Sequence, residues 1–489
     1  MAAPAETLQA DVVVLGAGPG GMAAVAAAAD AGATVVVLEA QEHIGGNAVW
    51  STGYLAFVGS AMQAEQGIVD DEERFVADAR AQAELLADRY GLEWDEDLVR
   101  LFARESARTY DDLTERGVRF TRFIPRPRQH SVDRMAAVED SWMLGRAYTA
   151  DFRRDEVTVR YGTVADRLVV EDGRVTGVLA HRSSDGGQVR VEARRAVVLA
   201  TGGYQANPDL RRRFQPGFAA RGPYLGIDSC RGDGHLMGQA VGGDLVNMTV
   251  VPPLVIVSSS VVEDAIAVNP AGERFHDEAG PYEERVERLR AEPGRRAWYV
   301  VDSTVAGEKE ALIGQMPEPA VQAPTLAALA GLIGVPGAAL ESTVQRWNAF
   351  LDGGADTDPD FGRVVLPPGR RRCETGPFTA VPMIEGINFC CGGFRTTTEQ
   401  RVIDVFGRTL PGLFAVGDCV GGLNPVSDLG GIHICGALTF GRLAGRAAAL
   451  GDTDAADHGS VLHAGMPSML GTRVALVHLD GRLDAATPG

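Results

Sequence analysis

Two groups of residues in this sequence are of a type and spacing that could do chemistry. Gly16, Gly18 and Gly21 stand in the order G-x-G-x-x-G, and Glu39 follows about 20 residues on. Such a set holds a dinucleotide. Gly16 permits a tight turn, Gly18 lets a pyrophosphate approach bare backbone, Gly21 lets a helix lie close to a strand, and Glu39 accepts from ribose hydroxyls. The second group centres on Tyr282, in the stretch GERFHDEAGPYEERVERLR at residues 272–290. Strand and turn precede Pro281, a charged helix follows it, and the phenol sits on the hinge. A tyrosine there could pass a proton. With an ordinary pKa of about 10 it needs a partner or a positive field to act as a base.

The elements that must position these groups are readable. Residues 11–15 form a buried strand, 22–31 an alanine-rich helix that Gly32 ends, and 34–38 a second buried strand. The helix N-terminus turns unpaired N–H groups and a positive dipole end toward the phosphates. The next stretch, QEHIGGNAVWSTGYLAFVG, supplies Gly45, Gly46, Asn47, Ser51, Thr52 and Gly53. A simple NAD domain would proceed to another helix at this point. A loop of bare backbone and small polar groups suits a flavin, whose ring lies beyond the pyrophosphate. Further on come a β-meander with an EDGR hairpin turn, a buried strand at 196–200 ending in Thr201 and Gly202, and a short strand at 413–416 leading to Asp418. Tyr54 and Trp50 could stack near a flavin or fill the core.

Composition narrows the class. The chain has 489 residues, enough for two to three domains at roughly 150 residues each. Sixty glycines beside an ordinary apolar fraction suit a globular α/β enzyme with many tight turns. A net charge of −19 repels phosphate backbones and argues against nucleic acid as a partner. No apolar run approaches the 18 or so residues of a membrane span, and MAAPAETLQA lacks the regions of a signal peptide, so a cytoplasmic location is expected. Cys230, Cys373, Cys390, Cys391, Cys419 and Cys435 show no zinc or haem spacing. They are expected to be reduced, mostly buried thiols, with no bound metal. A second dinucleotide motif and an iron–sulfur spacing are both missing. The electron donor or acceptor is therefore open among oxygen, a quinone, a nicotinamide and another protein.

The glycine motif with Glu39, the GGN…STG and ATGG stretches, PGLFAVGD, and GG…GALTFGRLAG together resemble the flavoprotein family of fumarate reductases, succinate dehydrogenases and 3-ketosteroid dehydrogenases. The resemblance runs to about Ala449. It implies an α/β fold: a Rossmann-like FAD-binding domain with a β-meander, formed by 1–245 and 376–489, and an inserted α+β capping domain at 246–375. It implies FAD, with Gly16, Gly18 and Gly21 at the pyrophosphate, Glu39 at the adenosine ribose, Val164 beside the adenine and Asp418 on the ribityl chain. The helix starting near Ile432 would aim its N-terminus at the flavin N1/C2 edge, where a positive dipole end stabilises the reduced ring. Family members with covalent flavin carry a histidine in the loop after the first motif, and GGNAVWSTGYLAF has none, so noncovalent FAD is expected. Residues 451–483 pass the usual family end and suggest an oligomer contact or a surface appendage.

The same resemblance separates the branches. Where fumarate reductases place a proton-donating arginine this chain has Tyr282. Asp428 stands where they place a carboxylate-binding arginine, and Asn388 where they place a histidine. A buried dicarboxylate would then go unpaired, at a cost of several kcal/mol. The ketosteroid branch fits DEAGPY and the DPDFGR stretch at 358–363. There the cap tyrosine takes the proton beside a ketone, and Gly431 matches a backbone donor to the carbonyl. Ser427 occupies the place of that branch's second tyrosine, so Ser427 or Asp428 would have to donate instead. His130, in RPRQHSVDR, is a candidate partner for Tyr282, and His433 lies near the flavin. The expected activity is oxidation or reduction of a carbon–carbon bond next to a carbonyl in a cyclic ketone. The alternatives are reduction of an unsaturated monocarboxylic acid clamped by Arg126 or Arg128, and a noncatalytic flavin carrier. The partners implied are a small-molecule substrate and an electron partner, with a homo-oligomer possible.

Overall fold

The computed structural model describes residues 6–215, 222–250, 254–255, 259–314, 316–423, 429–451, 476–477 and 483–484. Its main sheet runs in the order Arg401–Ile403, Thr409–Ala415, Gln188–Leu199, Glu6–Leu15, Val35–Leu38, Val157–Arg160. The last five strands are parallel, in register through Val12 opposite Val35 and Leu15 opposite both Leu38 and Leu199. The first strand starts at Glu6, earlier than the apolar run suggests, because residues 6–9 alternate between half-buried and exposed. From Ala10 onward it is buried throughout, the pattern of a parallel strand covered on both faces. Val12 and Val14 point into a helical layer. Val13 and Leu15 point toward the meander of Thr163–Glu171 and Arg174–Arg182.

The helical layer is built on Pro19–Asp30 and Ile432–Leu450, which meet backbone to backbone. A Cβ added to Gly441 would lie 2.2 Å from the Gly20 carbonyl oxygen, and one on Gly445 would lie 2.2 Å from that of Ala24. The first glycine motif is equally tight. A Cβ on Gly21 would fall 2.0 Å from the Gly16 oxygen. Gly21→Ala is therefore expected to force the turn apart. It should abolish stoichiometric FAD on purification, read from the flavin absorbance of the folded protein.

The cap is an antiparallel sheet of Ile266–Val268, Trp298–Val301, Phe378–Pro382 and Val321–Ala323. Leu326–Ile333 and Gly337–Asp352 pack on one face, Tyr282–Ala291 and Ser303–Glu308 on the other. Phe378–Pro382 carries the cap past the expected end at 375. FTAVP is mostly buried and paired on both sides, and Pro377 stands just before the strand, where it costs no ladder bond. Two ribbons, Leu245–Val246 with Gly393–Phe394 and Leu254–Val255 with Glu385–Gly386, lead the chain into and out of the cap. Apart from 476–477 and 483–484, the C-terminal appendage lies outside the described residues. All six cysteines are free and buried, as expected.

A buried charge network ties the cap together. Glu278 pairs with Arg274 at 2.7 Å and with Arg363 at 3.0 Å, and Arg274 also reaches Asp358 at 3.1 Å. Two cations thus meet two anions. Both guanidinium groups lie over the Trp347 ring. Burial alone would raise the Glu278 carboxyl, but Arg274 and Arg363 overcome it and hold it well below the usual carboxylate range. Arg363 also donates to the carbonyls of Val262, Glu263, Ala265 and Val365. The DPDFGR stretch is in this way a clamp on the segment that precedes Tyr282.

Candidate active site

A cavity of about 610 Å³ runs from the first glycine turn to the underside of the cap. Gly16, Gly18, Glu39 and Val164 line one stretch of its wall. Gly46, Asn47, Ser51, Thr52, Thr201, Gly202 and Asp418 line the next, and Tyr54, Tyr282, Asn388, Gly431 and His433 line the part beneath the cap. Most of the residues that the sequence singles out are thus brought to one surface.

The first stretch has the shape of a phosphate cradle. The helix Pro19–Asp30 has no side chain capping its N-terminus, and a Cβ on Gly18 would meet nothing within 4 Å. Open space therefore faces uncapped N–H groups, which is what a pyrophosphate needs. Glu39 accepts from the N–H of Ala17 at 2.6 Å and of Gln41 at 2.7 Å, so its carboxylate bridges the turn while facing the cavity. Gly46 takes φ +54, and a Cβ there would lie 3.0 Å from the Gly18 Cα, so this loop also needs bare backbone. Asn47 accepts from Ile227 N–H at 2.8 Å, and Ser51 donates to the Ala48 carbonyl at 2.6 Å. Thr201 accepts from Gly234 N–H at 3.1 Å. Burial pushes the Asp418 carboxyl up to about 6. Gln205 offsets that only in part, and a polyol chain would supply further hydroxyl donors to such a carboxylate.

Beneath the cap, Tyr282 is the first residue of its helix, directly after Pro281. The guanidinium of Arg285 lies 4.4 Å from the centre of its ring. Arg285 is 2% exposed, and its Nε and Nη1 carry no hydrogen bond among the described residues. A buried cation thus sits against the ring of Tyr282. It was visible only as an i, i+3 spacing on a charged helix. Asn388 lines the cavity, and its buried Oδ1 has no donor among the described residues. Burial pushes the His433 imidazole down to about 4, so it is neutral, and its ring lies 4.2 Å from Phe389. Met135, Leu254, Leu312 and Phe389 complete this wall; the sequence reading missed them because apolar residues carry no motif.

Several expected roles change. The Tyr54 hydroxyl donates to Glu263 at 2.7 Å, and Glu263 also pairs with Arg122, so Tyr54 presents its ring and not a free hydroxyl. His130 is buried behind the wall. Its Nε2 faces the Gly430 carbonyl at 3.0 Å and its Nδ1 faces Arg134, so it is no partner of Tyr282. Gly21, Gly45, Gly53 and Ile432 stand behind the lining and shape it. Arg128 pairs with Glu284, and Arg126 is buried with Nη1 on the Pro125 carbonyl. Neither lines the cavity. Ser427 and Asp428 lie outside the described residues.

Comparison with known proteins agrees with this architecture. The family profile described as FAD binding domain matches residues 11–434. The chain is 29% identical to the probable fumarate reductase Ifc3 of Shewanella frigidimarina, over 92% of this chain and 76% of that protein. It is 30% identical to a 3-oxosteroid 1-dehydrogenase of Mycobacterium tuberculosis, over 62% of each chain. Among solved structures it is similar to the open conformation of a flavocytochrome c3 fumarate reductase, with a TM-score of 0.71 and 28% identity, over 91% of this chain and 79% of that one.

Proposed function

The chain belongs to the FAD binding domain family and is an FAD-dependent oxidoreductase; from that premise we propose that it oxidises or reduces a carbon–carbon bond next to the carbonyl of a neutral cyclic ketone. The observation that carries this reading is the wall beneath the cap. Tyr54, Met135, Leu254, Leu312 and Phe389 make it apolar, Tyr282, Asn388 and the neutral His433 are its polar groups, and no lysine or arginine lines the cavity among the described residues. A dicarboxylate would lose its hydration there without a cation in return. A ketone needs only an acid–base group and a donor to its oxygen. No helix among the described residues is long and apolar enough to cross a membrane.

Bound FAD supplies a hydride acceptor or donor at ring atom N5. The residues of the chain do the rest. For dehydrogenation, Tyr282 must enter the step as a phenolate, its own proton already lost to solvent: the carbon beside the ketone gives its proton to that oxygen while the neighbouring carbon gives up hydride, and the electrons left behind form the double bond. The Arg285 guanidinium packs on the face of the ring and helps to fix its direction. The Gly431 N–H, at the N-terminus of a long helix, holds the enolate oxygen. Run backward, Tyr282 gives the proton. Holding of FAD without a covalent bond belongs to the same proposal, supported by the absence of histidine from residues 45–57.

The test is anaerobic mixing of the purified yellow protein with saturated cyclic ketones. Bleaching of the flavin band is expected. If the chemically reduced protein is instead reoxidised only by unsaturated monocarboxylic acids, the ketone reading is overturned. The related probable fumarate reductase makes that the reading to set against it.

A further inference from the structure

We propose that His130 is a positioning residue that sets the Gly430–Gly431 peptide, so that the Gly431 N–H is presented to the cavity as the donor to the substrate oxygen. The inference rests on the ketone reading above and adds to it the part of the chain that fixes the oxyanion donor.

The argument starts from Arg134, whose side chain is fully buried. It pairs with Asp70 at 2.7 Å through Nε and 2.8 Å through Nη2, and its Nη1 pairs with Asp78. The same Nη1 faces His130 Nδ1 at 3.3 Å. A guanidinium can only donate, so Nδ1 accepts and the ring proton sits on Nε2. Nε2–H then donates to the Gly430 carbonyl at 3.0 Å. Burial, with Arg134 beside it, pushes the imidazole down to about 4, so the ring keeps a single proton at neutral pH.

The peptide between Gly430 and Gly431 is trans, and in a trans peptide carbonyl and N–H point in opposite directions. His130 holds the carbonyl on the side away from the cavity, and Gly431 lines the cavity. The Gly431 carbonyl is taken as well, by Ala56 N–H at 2.9 Å. Its N–H has no acceptor among the described residues. Gly431 has φ +85, and a Cβ there would lie 2.6 Å from Ala56 N, so no other residue holds this turn. With the His130 bond cut, the Gly430 carbonyl loses the hydrogen bond that fixes the direction of this peptide, while the Ala56 bond keeps the helix behind it in place.

The test uses the full FAD-loaded chain and phenolates as probes, because their oxygen mimics an enolate and their binding perturbs the flavin spectrum. His130→Phe keeps ring volume and loses the donor; His130→Gln keeps an N–H of similar reach. Phenolate affinity is expected to fall roughly ten- to a hundredfold in His130→Phe, the value of a hydrogen bond to a charged group. It should recover in large part in His130→Gln, with FAD content unchanged in both. Equal affinity in wild type and His130→Phe overturns the positioning role. Failure of phenolates to bind the wild type overturns the ketone reading instead. Should His130→Phe not fold, nitrogen NMR of histidine-labelled wild-type protein decides, with His130→Gln to identify the signal. A proton on Nε2 is expected, and a proton on Nδ1 refutes the proposal.

Discussion

Turnover of the Tyr282→Phe enzyme is expected to fall roughly 10²–10⁴-fold, the range of a lost acid–base group, with FAD still bound. The substitution removes one oxygen and little else. Tyr282 opens its helix behind Pro281, so the backbone that carries the ring is set by the cap and not by the hydroxyl. The Arg285 guanidinium can stack on a phenylalanine as it does on the tyrosine. Gly16, Gly18, Glu39 and Asp418 lie on the other domain and do not depend on the phenol. Flavin absorbance should therefore match the wild type while the single-turnover rate of flavin reduction collapses. An undiminished rate would make Tyr282 a packing residue.

Glu278→Ala is expected to destabilise the cap by about 3–5 kcal/mol, the cost of breaking a buried pair. The glutamate is fully buried between Arg274 and Arg363, and its removal leaves Arg274 with Asp358 alone and Arg363 with no paired carboxylate among the described residues. The Ala267 N–H also loses its acceptor, Glu278 Oε1, at 2.9 Å. Glu278→Gln should be milder, because an amide oxygen can still serve Ala267 while the charge is lost. Thermal unfolding and limited proteolysis measure both. Cleavage should appear first near the segment 262–265, which Arg363 fastens. A midpoint within a degree or so of wild type for the alanine variant would show that the network is not what holds the cap.

The cofactor half of the molecule was legible in the sequence because its requirements are local. A turn that admits no Cβ at Gly16 and Gly21 must be glycine there, a phosphate that approaches the backbone favours glycine at Gly18, and an acid that bridges the turn must follow at a set distance, so these positions and Glu39 announce themselves. The substrate half is assembled from a distance. Leu254, Leu312 and Phe389 come from three separate cap or hinge segments, and only the tertiary fold makes them neighbours. His130 was read as a partner of Tyr282 because its stretch resembles a substrate-facing one. What a side chain faces depends on the turn it sits in, and here the turn directs the ring onto the Gly430 carbonyl. The hydroxyl partner of Tyr54 was illegible, since nothing near it in sequence discloses Glu263, which lies 209 residues away. The DPDFGR stretch read as a family signature; its arginine is a structural staple.

The crossing of the two long helices has a consequence for cofactor length. Gly441 sits nine residues beyond Ile432, about 14 Å along the axis, and there it presses on Gly20 in the opening turn of the other helix. In the function proposed above one helix end serves the phosphates and the other serves the ring, so this contact would act as a caliper whose jaws are set by bare backbone. A methyl group at Gly441 would press on Gly20 in the very turn that lines the cavity, so its effect should reach the grip on FAD from the far side of the helix pair.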